Sequence, residues 1–137
     1  MLAKSKNIML IEDAGSGSML NFSDYGLNGD PIIKESITKG ADIVTFSADK
    51  LLGSCQTGII VGQNDLVNRI RKHPLARALR VDKLTLSVLE STLKLYLNDD
   101  FIEKIPTLRM ISLKPEIIKN RCEKIVTEIE KSFSNLQ

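Results

Sequence analysis

The chain has no tryptophan, and aromatic residues make up only 4% of it. Stacking platforms for bases need exposed rings, so single-strand nucleic-acid binding of that kind is excluded. One histidine, His73, and two cysteines, Cys55 and Cys122, leave no cluster with metal-ligand spacing. A zinc site is excluded on that ground. The two thiols stand far apart and read as reduced cytosolic cysteines rather than as a disulfide. Neither charge sign dominates: nineteen basic against seventeen acidic residues leave +2. That is too little to hold a polyanion by bulk charge. No apolar run approaches the ~20 residues of a membrane span. No h-region of ~7–15 apolar residues follows Met1-Leu2-Ala3-Lys4, so no signal peptide is expected. The expected location is the cytoplasm, with no membrane partner.

What is present fits one modest soluble domain: 137 residues, 42% hydrophobic and 26% charged. The run Ile8-Met9-Leu10-Ile11 ends in Glu12-Asp13. It predicts a buried strand of a parallel sheet with acids at its carboxyl end. Residues 14–18 form a turn and 19–30 a loop. Asp30 before Pro31 predicts an N-cap and a short helix, stopped by Gly40 near Lys39. Strands are expected at 42–47 and 57–62. A helix runs from Asn64 or Asp65 to about Lys72, where Pro74 breaks it. Apolar spacing predicts a long helix over 82–97. Pro106 ends a linker. Pro115 opens a last helix with Ile117, Ile118, Cys122, Ile125, Val126, Ile129 and Phe133 on one stripe. Glu128 and Lys131 pair on its wet face. The order implies an α/β layer feeding a helical extension. Three strands with two faces to cover make a poor core alone. A piece of something larger, or an obligate oligomer, is expected.

The residues that could carry chemistry lie around the run TFSADKLLGSCQTGIIVG, 45–62. Lys50 sits between two strand-like runs, in a loop containing Gly53 and Gly58. It is either an ordinary surface lysine or an amine fixed at a strand end, able to attack a carbonyl and form a Schiff base. Strand ends in open α/β sheets are where ligands bind. Ser47 and the glycine-containing loop offer donors to a cofactor phosphate. Asp13 is a strand-terminal cap, or the carboxylate that keeps the ring nitrogen of pyridoxal phosphate protonated. Asp49 is a turn residue, or an acid that tunes Lys50 and handles protons. Arg77 and Arg80 stand one helical step apart and face one way. They form a basic surface with Asp82 as a cap, or a clamp for a phosphate-like anion. His73 reads as a loop histidine. The GSG at 15–17 has too little pattern for a nucleotide loop.

With these residues, the chain resembles the bacterial L-seryl-tRNA(Sec) selenium transferase family, the selenocysteine synthases. The matching stretches are IEDAGSGS (11–18), DYGL (24–27), VTFSADKLLGSCQTGIIVG (44–62), HPLARALRVDKLTLSVLESTLKLYL (73–97) and PTLRMIS (106–112). The resemblance implies part of a fold-type-I large domain, a mainly parallel sheet with flanking helices, leading into a helical C-terminal segment. It implies residues 1–98 as the C-terminal half of the cofactor domain and 99–137 as linker and start of a small domain. The implied cofactor is pyridoxal 5'-phosphate. Lys50 matches the Schiff-base lysine, Asp13 the pyridine-nitrogen acid and Asp49 an acid used in catalysis. Arg77 and Arg80 match arginines that hold the selenium-donor anion, selenophosphate. The implied reaction turns seryl-tRNA(Sec) into selenocysteinyl-tRNA(Sec) by β-elimination of the serine hydroxyl, then selenium addition. The implied partners are tRNA(Sec), through an N-terminal region absent here, and further copies in a homo-oligomer. The family usually reads SGDK and GGPQAG where this chain has Ser47-Ala48-Asp49-Lys50 and Gly53-Ser54-Cys55-Gln56-Thr57-Gly58. Two alternatives stand beside this reading: a related pyridoxal-phosphate lyase or ammonia-lyase acting on a small molecule, and a non-catalytic truncated remnant.

Overall fold

The computed structural model describes residues 2–27 and 29–134. Asn28 and the two extreme ends of the expected domains, residue 1 and residues 135–137, lie outside the described residues. In chain order the elements are α1 Leu2–Ser5, β1 Ile11–Gly15, a 3₁₀ turn Ser23–Tyr25, α2 Ile33–Lys39, β2 Ile43–Ser47, β3 Gly58–Gly62, α3 Asn64–Lys72, α4 Pro74–Leu79, α5 Lys83–Leu95, α6 Phe101–Lys104, α7 Pro106–Ile111 and α8 Pro115–Ser134.

The three strands form one sheet in the order β1-β2-β3. The β1–β2 pair is parallel and the β2–β3 pair antiparallel. The expectation of a mainly parallel sheet therefore holds for only one of the two pairings. The connections explain it. A parallel pair needs a crossover, and α2 lies between β1 and β2. Residues 48–57 contain no helix and simply return the chain beside β2.

The first strand begins later than its apolar run. Asn7 adopts φ 53°, and the Ile8 N–H is taken by the Ala3 carbonyl at 2.9 Å. The chain straightens only at Leu10, whose N–H donates to the Asp42 carboxylate at 2.7 Å. Ile8 and Met9 are exposed. Asp13 thus lies within β1 rather than beyond it, opposite Thr45. The α2 helix is likewise displaced. Ile32, not Asp30, occupies its N-cap, because the Ile33 N–H bonds the Ser18 carbonyl at 3.1 Å. Gly40 ends it in the left-handed conformation, as expected.

Side chains alternate across the strands. One face sends Ala14, Val44 and Phe46 into a core with Ile33, Ala41, Ala48 and Leu52, against which Leu89 and Tyr96 pack. A second cluster joins Phe22, Ile105 and Leu108, with Leu20, Leu51, Phe101 and Ile102 around it. The helices α6 and α7 therefore pack on the layer where only a linker was expected. The opposite sheet face bears Ile11, Ile43 and Ile60 on an open groove of about 610 Å³, walled by α3 and α4 through Ile70, Leu75 and Leu79. The α8 stripe is also bare: Ile125, Val126, Ile129 and Phe133 are all exposed. Among the described residues no helix is long and apolar enough to cross a membrane.

The α5 start follows from sequence. The Asp82 carboxylate accepts the Thr85 N–H at 2.9 Å and the Thr85 hydroxyl at 3.0 Å, an N-cap. The Thr85 backbone N–H holds the Asp82 carboxyl below its ordinary value. Its stabilising effect is then present above about pH 4 and is lost as the pH falls through the lowered value. Asp82→Ala should lower Tm by roughly a few degrees at neutral pH. Melting curves taken at falling pH should show the two proteins converging.

Candidate functional site

The site is built on the open side of the sheet, where β1 and β2 run out together. Asp13, Thr45 and Ser47 line one cavity of about 600 Å³ with Thr57, Gly58, Ile60, Leu79 and Arg80. Thr45 follows Asp13 across the parallel register, so their side chains meet on one face. The Thr45 hydroxyl donates to Asp13 Oδ1 at 3.0 Å, and the Gly15 N–H reaches the same oxygen at 3.3 Å. Asp13 Oδ2 has no hydrogen-bond partner among the described residues. The carboxylate is thus oriented by one oxygen and open at the other.

Asp49 and Lys50 occupy the turn that follows β2, and both are exposed. Exposure of the side chain does not mean a loose backbone. The Ala48 N–H bonds the Thr57 carbonyl at 2.9 Å, and the Ser54 N–H returns to the Ala48 carbonyl at 2.8 Å. The Gly53 N–H closes on the Lys50 carbonyl at 3.0 Å, and the Leu51 N–H bonds the Ser16 carbonyl at 3.0 Å. That last bond ties the lysine turn to the GSG loop after β1. Gly17, at φ +72°, lies directly over the Ser47 carbonyl, where a Cβ would collide with it. Close approach of two strand-end loops, not nucleotide binding, accounts for this glycine.

The arginines separate. Arg77 lies on α4, exposed. Arg80 lies past its end, in extended backbone at φ −70° and ψ 140°. The expectation of one helix face for both is corrected: the helix stops at Leu79, so the i,i+3 relation does not hold. Arg80 lines the Asp13 cavity and also borders the apolar groove, while Arg77 lines neither. His73 is the N-cap of α4; its Nδ1 accepts the Leu75 N–H at 3.3 Å. Cys55 and Cys122 are both free. Sequence reasoning missed Thr45, whose only signal was its place at the middle of a strand beside an acid-bearing one. It also missed Tyr96, whose hydroxyl donates to the Leu52 carbonyl at 3.0 Å.

Burial pushes the Tyr96 phenol up to about 12 from its ordinary 10.0. The folded state keeps this proton where the unfolded chain loses it. Stability from this source is intact below about pH 10 and declines as the pH rises toward 12. Alkaline melting curves should show that decline, and Tyr96→Phe should lack this part of it.

An acid and two hydroxyls on neighbouring strands of an α/β sheet line an open cavity, while Asp49 and Lys50, on the turn past Ser47, are not part of its lining. Acid and hydroxyls have the layout of an enzyme's ligand cleft. Comparison makes the class particular. The family model for L-seryl-tRNA selenium transferase matches residues 1–137, and the chain belongs to that family. It is 52% identical over 130 residues to the L-seryl-tRNA(Sec) selenium transferase of Clostridium perfringens strain 13, covering 94% of this chain and 28% of that one. The protein of that name from Carboxydothermus hydrogenoformans is 47% identical over 128 residues, covering 93% of this chain and 28% of the relative. The Escherichia coli O45:K1 protein of that name is 45% identical over 125 residues, covering 90% and 27%. The chain therefore spans little more than a quarter of the length of these relatives.

Proposed function

We propose that the chain carries part of the active site of a pyridoxal-phosphate-dependent selenium transferase that converts seryl-tRNA(Sec) to selenocysteinyl-tRNA(Sec). The observation that carries the reading is that β1, with Asp13, and β2, whose following turn carries Lys50, pair in parallel, and that Asp13 and Ser47 line one cavity with Arg80. The residues present fit the cofactor. Asp13 keeps Oδ2 open to accept from a ring N–H while Thr45 holds Oδ1. The Lys50 amine suits a carbonyl carbon, and the Ser47 hydroxyl suits a phosphate. When bound, the cofactor supplies an electron sink for breaking bonds at the substrate's α and β carbons.

The residues divide the work. Asp13 holds the ring nitrogen protonated. Lys50 holds the cofactor through its amine, and Asp49 gives or takes a proton beside it. Arg80, which lines the cavity, and Arg77, on the helix before it, hold the selenium-donor anion, for which selenophosphate is the proposed source. Residues 1–98 serve as the C-terminal half of the cofactor domain, and 99–137 as linker and beginning of a small domain. Ile105 and Leu108 then anchor that linker on the α/β layer. The tRNA(Sec) is bound by a region outside this chain. The working form is a homo-oligomer in the cytoplasm.

The test uses a full-length chimera in which this chain replaces the matching stretch of the Clostridium perfringens relative. Pyridoxal phosphate is added, the adduct is reduced with borohydride, and peptides are mapped. The label is expected on Lys50. A stable label on another lysine, with Lys50 unmodified, overturns the assignment.

A further inference from the structure

The turn that carries Lys50 is gripped from behind by the helical segment. The Tyr96 hydroxyl donates to the Leu52 carbonyl at 3.0 Å, and Leu52 is fully buried. The Ser54 hydroxyl donates to Thr92 Oγ1 at 3.0 Å, and Thr92 passes its own hydrogen to the Val88 carbonyl at 3.1 Å. The Cys55 thiol leans on the Thr85 carbonyl at 3.5 Å. Gly53, at φ +73°, lies so close to Ile105 that an added Cβ would overlap its methyl. None of these helical residues lines the cavity that holds Asp13.

Tyr96 is the best placed of them. Its ring stacks on Phe101 at 5.2 Å between centroids, with 30° between planes. It also packs against both core clusters. Ring packing therefore sets where the hydroxyl stands, independently of the bond it makes. The hydroxyl then addresses a carbonyl two residues beyond Lys50. Thr92, one helical turn earlier, addresses the residue four beyond Lys50. Two side chains one helical turn apart thus hold the turn at two points.

We propose that Tyr96 is a positioning residue for Lys50: through the Leu52 carbonyl it holds the lysine turn in register with Asp13, so that the helical segment sets the amine's place. The proposal rests on the reading of Lys50 as the cofactor lysine. Removing the hydroxyl leaves a buried carbonyl without its donor and frees the turn, while the ring still fills its site.

The experiment compares Tyr96→Phe with the parent in two formats. In this chain, backbone amide exchange at Gly53 and Ser54 should quicken about tenfold, while exchange at Val44 in the core strand stays unchanged. Thr92→Val should act in the same direction and serves if Tyr96→Phe does not fold. In the full-length chimera, borohydride-trapped pyridoxal phosphate on Lys50 should form about tenfold more slowly, with KM for seryl-tRNA unchanged. Exchange that is unchanged at the turn, or that rises equally throughout the chain, overturns the proposal. So does unaltered labelling of Lys50 in the variant. Absence of label on Lys50 in the parent chimera instead sinks the cofactor reading, and the amide data then still report whether Tyr96 holds the turn.

Discussion

Lys50→Ala in the full-length chimera should reduce selenium transfer to tRNA by roughly a thousandfold or more, with no change in the melting temperature of the cofactor-free protein. The two halves of that expectation come from different physics. On the reading proposed above Lys50 holds the cofactor, and losing such a group costs at least the ~10²–10⁴-fold of a general acid or base. The side chain is exposed, so its removal opens no cavity. The backbone of the turn is fixed by the bonds of Ala48, Leu51, Gly53 and Ser54, none of which uses the lysine side chain. Activity assays beside calorimetry check both halves. A variant that loses activity together with tens of degrees of Tm would mean that Lys50 is structural.

Leu52→Ala should instead act on stability. Leu52 is fully buried and joins the strand core two residues beyond Lys50. Truncating such a side chain costs about 2–5 kcal/mol, from lost transfer energy and the cavity left behind. Domains of this size are stable by only about 5–15 kcal/mol. Tm should therefore fall by roughly 10 °C or more, and the broadened far-ultraviolet dichroism transition would show it. The loss should also be local in character. Leu52 offers its carbonyl to Tyr96 and precedes Gly53, which abuts Ile105. Its removal slackens the contact between the lysine turn and the helices before it unfolds the sheet. A melt indistinguishable from the parent's would show that this cluster does not hold the layer together.

Much of the fold is legible in local pattern. The apolar runs at β2 and β3, the Gly40 stop, the Pro115 start and the Glu128–Lys131 pair at 3.2 Å all use information within a few residues. So does the Asp82 cap. The errors arise where distant chain decides. Leu10 straightens because Asp42 receives its N–H, and Ile33 starts a helix because Ser18 accepts its own. Arg80 leaves its helix because α4 ends one residue earlier and α5 is capped two residues later. The antiparallel return of β3 is legible only by noticing that 48–57 is too short for a crossover. At the site, Asp13, Ser47 and Lys50 stand out by chemical type and position. Tyr96 does not, because its partner lies 44 residues away and its hydroxyl looks like that of any half-buried tyrosine.

The bare groove under the sheet and the uncovered α8 stripe also bear on how the chain answers denaturant. The slope of stability against urea follows the surface newly wetted on unfolding. Ile11, Leu75, Leu79, Ile125 and Phe133 are wet already, so they add little to that slope. The isolated chain should unfold along a shallow, drawn-out urea curve for its length. The same residues within a longer polypeptide that covers these faces should give a steep one.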